Sequence, residues 1–109
     1  MREAKLSRYC MDRLERLPDS FWFVTTGGVF QRRGIPDIVG CLRGTFVGLE
    51  LKTSRGRPTT LQVYTLEKLL SSGGVGAILF GKEGVEEALE WLRSEDLRCE
   101  KVRRFPDGQ

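Results

Sequence analysis

Histidine is absent from the 109-residue chain, and its absence removes more chemistry than any residue present supplies. There can be no Ser-His-Asp or Cys-His nucleophile, no histidine-ligated zinc and no histidine-metal nuclease site. Acid–base work is left to Asp, Glu, Lys, Tyr or a metal-bound water. Cysteine is also scarce. Cys10, Cys41 and Cys99 are odd in number and far apart, which suits reduced, mostly buried thiols and neither a disulfide framework nor a zinc site. No apolar run approaches the roughly 20 residues of a membrane span, and no signal-peptide core follows Met1. An intracellular, cytoplasmic protein is expected, in the host-cell cytoplasm if the chain is viral. Repeats, linkers and low-complexity stretches are missing too.

A charged content of 30% against an apolar content of 39% fits a soluble globular chain of this length with one core. The expected organisation is a single domain over 1–109, with a core of about 2–93 and a basic segment over 94–109. Leu6, Cys10, Leu14 and Leu17 recur at helical spacing within 2–17, and Pro18 stops the pattern. Phe21 to Thr26 reads as a short strand ended by Gly27-Gly28. Ile35 to Leu42 and Thr45 to Leu51 read as two more, joined at Arg43-Gly44. Thr59 starts a helix that runs to about Ser72, where Gly73-Gly74 supplies a left-handed cap. Val75 to Phe80 is an apolar run of buried-strand type. Val85, Ala88, Leu89 and Leu92 mark a last helix, and Leu97 to Phe105 is either a short edge strand or mobile. The order α-β-β-β-α-β-α predicts an α/β domain with a mixed central sheet flanked by helices.

The chemistry concentrates in Arg33-Gly34-Ile35-Pro36-Asp37 and Glu50-Leu51-Lys52, with thirteen residues from Asp37 to Glu50. Strand alternation puts Val47, Leu49 and Leu51 on one face and Phe46, Gly48, Glu50 and Lys52 on the other. A carboxylate and an ammonium then stand roughly 6–7 Å apart along one strand face, with Asp37 supplied by the neighbouring strand. Two acids and a lysine make a plausible hard-metal and water-activating site. A charge amid apolar strand residues is costly unless paired or metal-bound, although Glu50 paired with a base on a solvated face would also satisfy the pattern. Two further residues have two readings each. Glu3 shares the stripe of Leu6, Cys10 and Leu14 and so faces the body of the domain, or else it favours the helix N-terminal dipole. Gln62 faces the site, or else closes a Thr59-x-x-Gln62 capping box.

Net charge is only +3, but the basic residues are grouped. Arg32, Arg33, Arg43, Arg55 and Arg57 flank the acids in sequence and suit contacts to a phosphate backbone. Arg98, Lys101, Arg103 and Arg104 form a basic tail that is either another such surface or a solvated face.

Gln31-Arg32-Arg33-Gly34-Ile35-Pro36-Asp37, Glu50-Leu51-Lys52, Gly56-Arg57 and Gln62 together resemble the VRR-NUC family of the PD-(D/E)XK nuclease superfamily, from the first helix to about Phe80. The resemblance implies a restriction-endonuclease-like αβββαβ core and a metal-dependent DNA endonuclease. It implies that Asp37, Glu50 and the Leu51 carbonyl hold Mg²⁺ or Mn²⁺, that Lys52 positions or helps deprotonate the attacking water, and that Glu3 and Gln62 join the site. Small stand-alone proteins of this kind, typical of phages and bacteria, are associated with homodimers that resolve four-way (Holliday) DNA junctions. Candidate dimer surfaces are the last helix with Trp91 and Leu92, and Phe21-Trp22-Phe23, though ordinary core would explain those aromatics. The competing functions are a restriction-like or repair endonuclease on duplex or flap DNA, and a catalytically silent DNA-binding subunit. No small-molecule organic cofactor and no membrane partner are expected.

Overall fold

The computed structural model describes residues 3–25 and 33–107, and within them the expected order of elements holds with one addition at the C-terminal end. The elements are α1 (Glu3–Leu14), β1 (Ser20–Val24), β2 (Ile38–Leu42), β3 (Thr45–Lys52), α2 (Thr60–Ser71), β4 (Val75–Phe80), α3 (Gly81–Leu92) and β5 (Arg103–Phe105). The five strands form one sheet in the order β1-β2-β3-β4-β5. β1–β2 and β2–β3 are antiparallel, whereas the crossovers through α2 and α3 make β3–β4 and β4–β5 parallel. The sheet is therefore mixed. No helix among the described residues is long and apolar enough to cross a membrane.

The sheet separates two apolar layers. On one face Leu6, Cys10 and Leu14 of α1 and Val85, Ala88 and Leu89 of α3 pack on Trp22, Leu42, Val47, Leu49, Leu51 and Leu79. On the other, α2 covers β3 and β4 through Leu66, which packs with Ile78 and Phe80. An ion pair fastens the two helices of the first layer to each other. Arg13 meets Glu86 at 2.7 Å, and the Tyr9 hydroxyl donates to the same carboxylate. Those two partners hold the Glu86 carboxyl down at about 2, with Arg13 the larger cause.

Several sequence expectations need correction. The first helix ends at Leu14, yet Leu17 is buried all the same. The strand expected from Ile35 begins at Ile38, because Pro36 has no N–H to give a ladder. The last helix starts at Gly81, four residues before its first apolar marker. Arg103–Phe105 adds a parallel edge strand, and Leu97 and Phe105 are buried, so the core does not end near residue 93. Cys10 is buried, but Cys41 is exposed and Cys99 half-buried. Thr26, Gly27 and Gly28 lie outside the described residues.

Gly84 shows how tightly α3 holds the edge strand. A Cβ there would sit 2.3 Å from the Phe105 carbonyl oxygen, so Gly84→Ala must push the helix and β5 apart. Overpacking of this kind costs about 1–3 kcal/mol. A thermal melt of Gly84→Ala should show that loss, and an unchanged midpoint would contradict the packing.

Candidate active site

Glu50 is the one charged residue among the described residues whose side chain is buried, at 2% exposure. It lies on the central strand, between β2 and β4. The β2–β3 register pairs Ile38 with Leu49, and one step outward along the same ladder sets Asp37 against Glu50. Residues directly opposed across a ladder point to the same face. The two carboxyls therefore meet at the open end of the hairpin, and Asp37 Oδ2 accepts a hydrogen bond of 2.8 Å from the Leu51 N–H. In an extended strand a residue's N–H and C=O leave by the same edge, so the Leu51 carbonyl is turned toward Asp37 as well.

Gln62 resolves its two readings by doing both. The capping box is formed: Gln62 N–H donates to Thr59 Oγ1 at 3.1 Å, and Gln62 Oε1 accepts from the Thr59 N–H at 2.8 Å. With its oxygen so used, the amide must turn its NH₂ toward Glu50, and Nε2 donates to Glu50 Oε1 at 3.2 Å. Glu50 Oε2 is left buried with no partner. A buried acceptor without a donor costs free energy, and the acid answers by holding a proton. Burial pushes the Glu50 carboxyl up to about 9, helped by the neighbouring Asp37 carboxylate and by the charge of Glu3, and opposed by Lys52.

Lys52 follows on the same face, half-buried, and makes no salt bridge among the described residues. Glu3 is exposed at the start of α1, and lines a cavity of about 470 Å³ with Asp37, Leu51, Ser7 and Arg8. Glu3 is thus a first-turn acid that borders this cavity while remaining exposed. Ser7 and Arg8 were not expected there. The signal was available, because Ser7 lies one turn after Glu3 on the same helix.

The arginines separate. Arg33, Arg55 and Arg57 are exposed, in the segments that lead into Asp37 and follow Lys52, and Arg32 lies outside the described residues. Gly34 explains the glycine of the Arg33-Gly34 turn: its φ is +83°, and a Cβ would meet Leu61 of α2 at 2.7 Å. Arg43 does not belong with the others. It sits in the turn at the far end of β3, more than about 20 Å along the strand from Lys52. There its guanidinium donates to the Leu92 and Ser94 carbonyls at 3.1 and 2.6 Å, closing the end of α3.

Two carboxyls and a carbonyl are hard oxygen donors that suit Mg²⁺ or Mn²⁺. Among the described residues no three His, Cys, Asp or Glu side chains gather around one point, so the donor set fits an ion that keeps several waters. The orphaned Glu50 Oε2 is the atom such an ion would satisfy, and its charge would draw off the proton.

No protein-family model matches the chain, and no curated protein matches it. Among solved structures, one described as a VRR_NUC domain superposes with a TM-score of 0.68 at 22% identity, over 81% of this chain and 94% of that chain. The chain has the fold of that domain.

The proton on Glu50 sets a sign for stability. Its folded value of about 9 lies above the ordinary 4.5, so between those values the folded state binds more protons than the unfolded one. Without metal, stability falls as pH rises through that window, by at most about 1.4 kcal/mol per pH unit for this one proton. Glu50→Gln should flatten the fall in thermal melts run with chelator from pH ~5 to ~9. A variant as steep as the wild type would remove Glu50 as the cause.

Proposed function

We propose that this chain is a nuclease of the VRR-NUC type, a Mg²⁺- or Mn²⁺-dependent endonuclease that hydrolyses DNA phosphodiester bonds. The observation that carries the reading is the buried Glu50, with an unsatisfied oxygen beside Asp37 and with Lys52 next on the same face. When bound, a divalent cation supplies a polarised phosphoryl oxygen and a water of lowered pKa.

The protein's own groups do the rest. Asp37 and Glu50 fix the position of the site, and Gln62 holds Glu50 by one oxygen so that the other stays aimed. Lys52 places positive charge beside the attacking water, which favours its hydroxide form as the proton passes to solvent. Water oxygen bonds to phosphorus as the P–O3′ bond breaks and O3′ takes a proton from solvent, leaving a 5′-phosphate and a 3′-hydroxyl. Arg33, Arg55 and Arg57, with Arg32 before them, neutralise the flanking backbone. Asp37→Asn and Lys52→Ala should each lose at least about a hundredfold in cleavage while binding DNA nearly as well. Either variant cutting at the wild-type rate with Mg²⁺ would sink the assignment, and salt-dependent binding without scission would point to a silent subunit.

The substrate we propose is the four-way junction, cut by a homodimer, since one small domain carries one site and paired cuts need two related by a two-fold axis. Trp91 and Leu92 are buried and cannot supply the contact. Phe21, Phe23 and Phe46 do project from the open part of the α2 face, 68%, 48% and 47% exposed, and Phe21 and Phe46 both pair with the exposed Cys41. Roughly 300 Å² of aromatic surface is involved. That suits the apolar centre of an interface burying about 800 Å² per partner. Phe21→Ser/Phe46→Ser should convert a dimer to a folded monomer by light scattering, and a variant that stays dimeric would exclude this face. Cleavage of junction, flap, nicked and linear duplex DNA, compared on one gel, tests the substrate.

A further inference from the structure

The basic tail does not act as one surface. Arg98 is committed to Asp96 at 2.9 Å. Arg103 stacks over Trp91 and Phe105, 5.6 and 4.9 Å from the ring centroids, on the α3 side of the sheet. Lys101 and Arg104 both border a depression that also carries Glu67 and Glu100. Arg104 is set apart by its row in the sheet and by a second hollow that it reaches. The parallel ladders align Glu50 with Ile78 and Ile78 with Arg104, so Glu50 and Arg104 lie in one row on the α2 face, roughly 10 Å apart.

There Arg104 borders a cavity of about 350 Å³ together with Arg55, Arg57, Ser54 and Phe80, and no carboxylate lines it. A neighbouring cavity shares Ser54 and Phe80 with it and reaches Leu6 of α1. The depressions thus follow the C-terminal ends of β3 and β4 from the α1 side, where the acidic cavity lies, to the three arginines. Ligands of open α/β sheets bind along such ends. Guanidinium groups from two separate segments around one hollow match the oxygens of a phosphodiester.

We propose that Arg104, with Arg55 and Arg57, forms a phosphate subsite that grips the DNA backbone to one side of the scissile bond. This rests on the nuclease reading above and adds a role for β5, which carries Arg104 to the loop that follows β3. The subsite fixes where the strand lies and takes no part in the bond breaking.

The test is fluorescence anisotropy with a labelled duplex in EDTA, over a range of NaCl, on wild type, Arg104→Gln, Arg104→Lys and Arg98→Gln. Arg104→Gln should weaken binding alike for unrelated sequences and lower the salt-dependence slope by about 1. Arg104→Lys should keep the slope, and Arg98→Gln should match wild type in both respects. A wild-type slope in Arg104→Gln overturns the subsite. So does an equal loss in the Lys and Gln variants, which would mark a structural role and keeps the test decisive if Arg104→Gln is poorly folded. Cleavage with Mg²⁺ is scored separately. Active wild type with an unchanged Arg104→Gln slope rejects the subsite alone, whereas inactive wild type with a lowered slope rejects the nuclease reading alone.

Discussion

A carboxyl group buried at the centre of a sheet is the constraint around which this small domain is arranged. Glu50 sits where both neighbours are strands and where apolar side chains would pack better. Leaving it charged there is unfavourable, so the group must hold a proton or meet a cation. Each supporting contact limits that choice. Gln62 uses its oxygen to start α2 and its amide to hold Glu50, so the helix cap and the acid depend on the same side chain. The Gly34 turn lets the segment before Asp37 lie against Leu61 of that helix. Loss of the cap would therefore free the carboxylate as well as fray the helix.

The opposite layer supplies rigidity and little chemistry. The Arg13–Glu86 pair and the Tyr9 hydroxyl tie α1 to α3, which holds the first two turns of α1, with Glu3 and Arg8, over the Asp37 cavity. Burial pushes the Cys10 thiol up to about 12, so at ordinary pH it packs as a small apolar side chain. The consequence is a division of labour across the sheet. One face is anchored by α1 and α3, and the other carries Glu50, Lys52, Gln62 and Arg104.

What could be read from the sequence was local. Alternation in Thr45 to Lys52 and the Thr59-x-x-Gln62 spacing both follow from geometry over a few residues, and both hold. What could not be read depends on which distant segments meet. Phe21 and Phe23 look like core, but α2 lies over β3 and β4 and leaves their side of β1 open. Arg43 is as near to the acids in sequence as Arg57, yet a hairpin carries it to the opposite end of the sheet. Arg104 is 54 positions from Glu50 by the numbering, and only two parallel ladders bring it into the same row. For Gln62 the sequence offers capping and facing Glu50 as alternatives, yet a side-chain amide has two ends and does both.

The hairpin also explains the thirteen-residue interval. With the turn at Arg43-Gly44 and Ile38 opposite Leu49, paired positions keep a constant sum, and the partner of Asp37 is Glu50. Opposed residues share a face, so both acids arrive on one side of the sheet at one level. A shift of register by a single residue would turn the carboxyl of one strand to the α1–α3 side, because side chains alternate with a period of two. Pro36 ends the ladder immediately beyond the pair, and this opens the sheet at that level. Spacing, turn and proline are thus one device. They bring two carboxyls together at a strand end, where Glu50 cannot stay ionised easily without a cation.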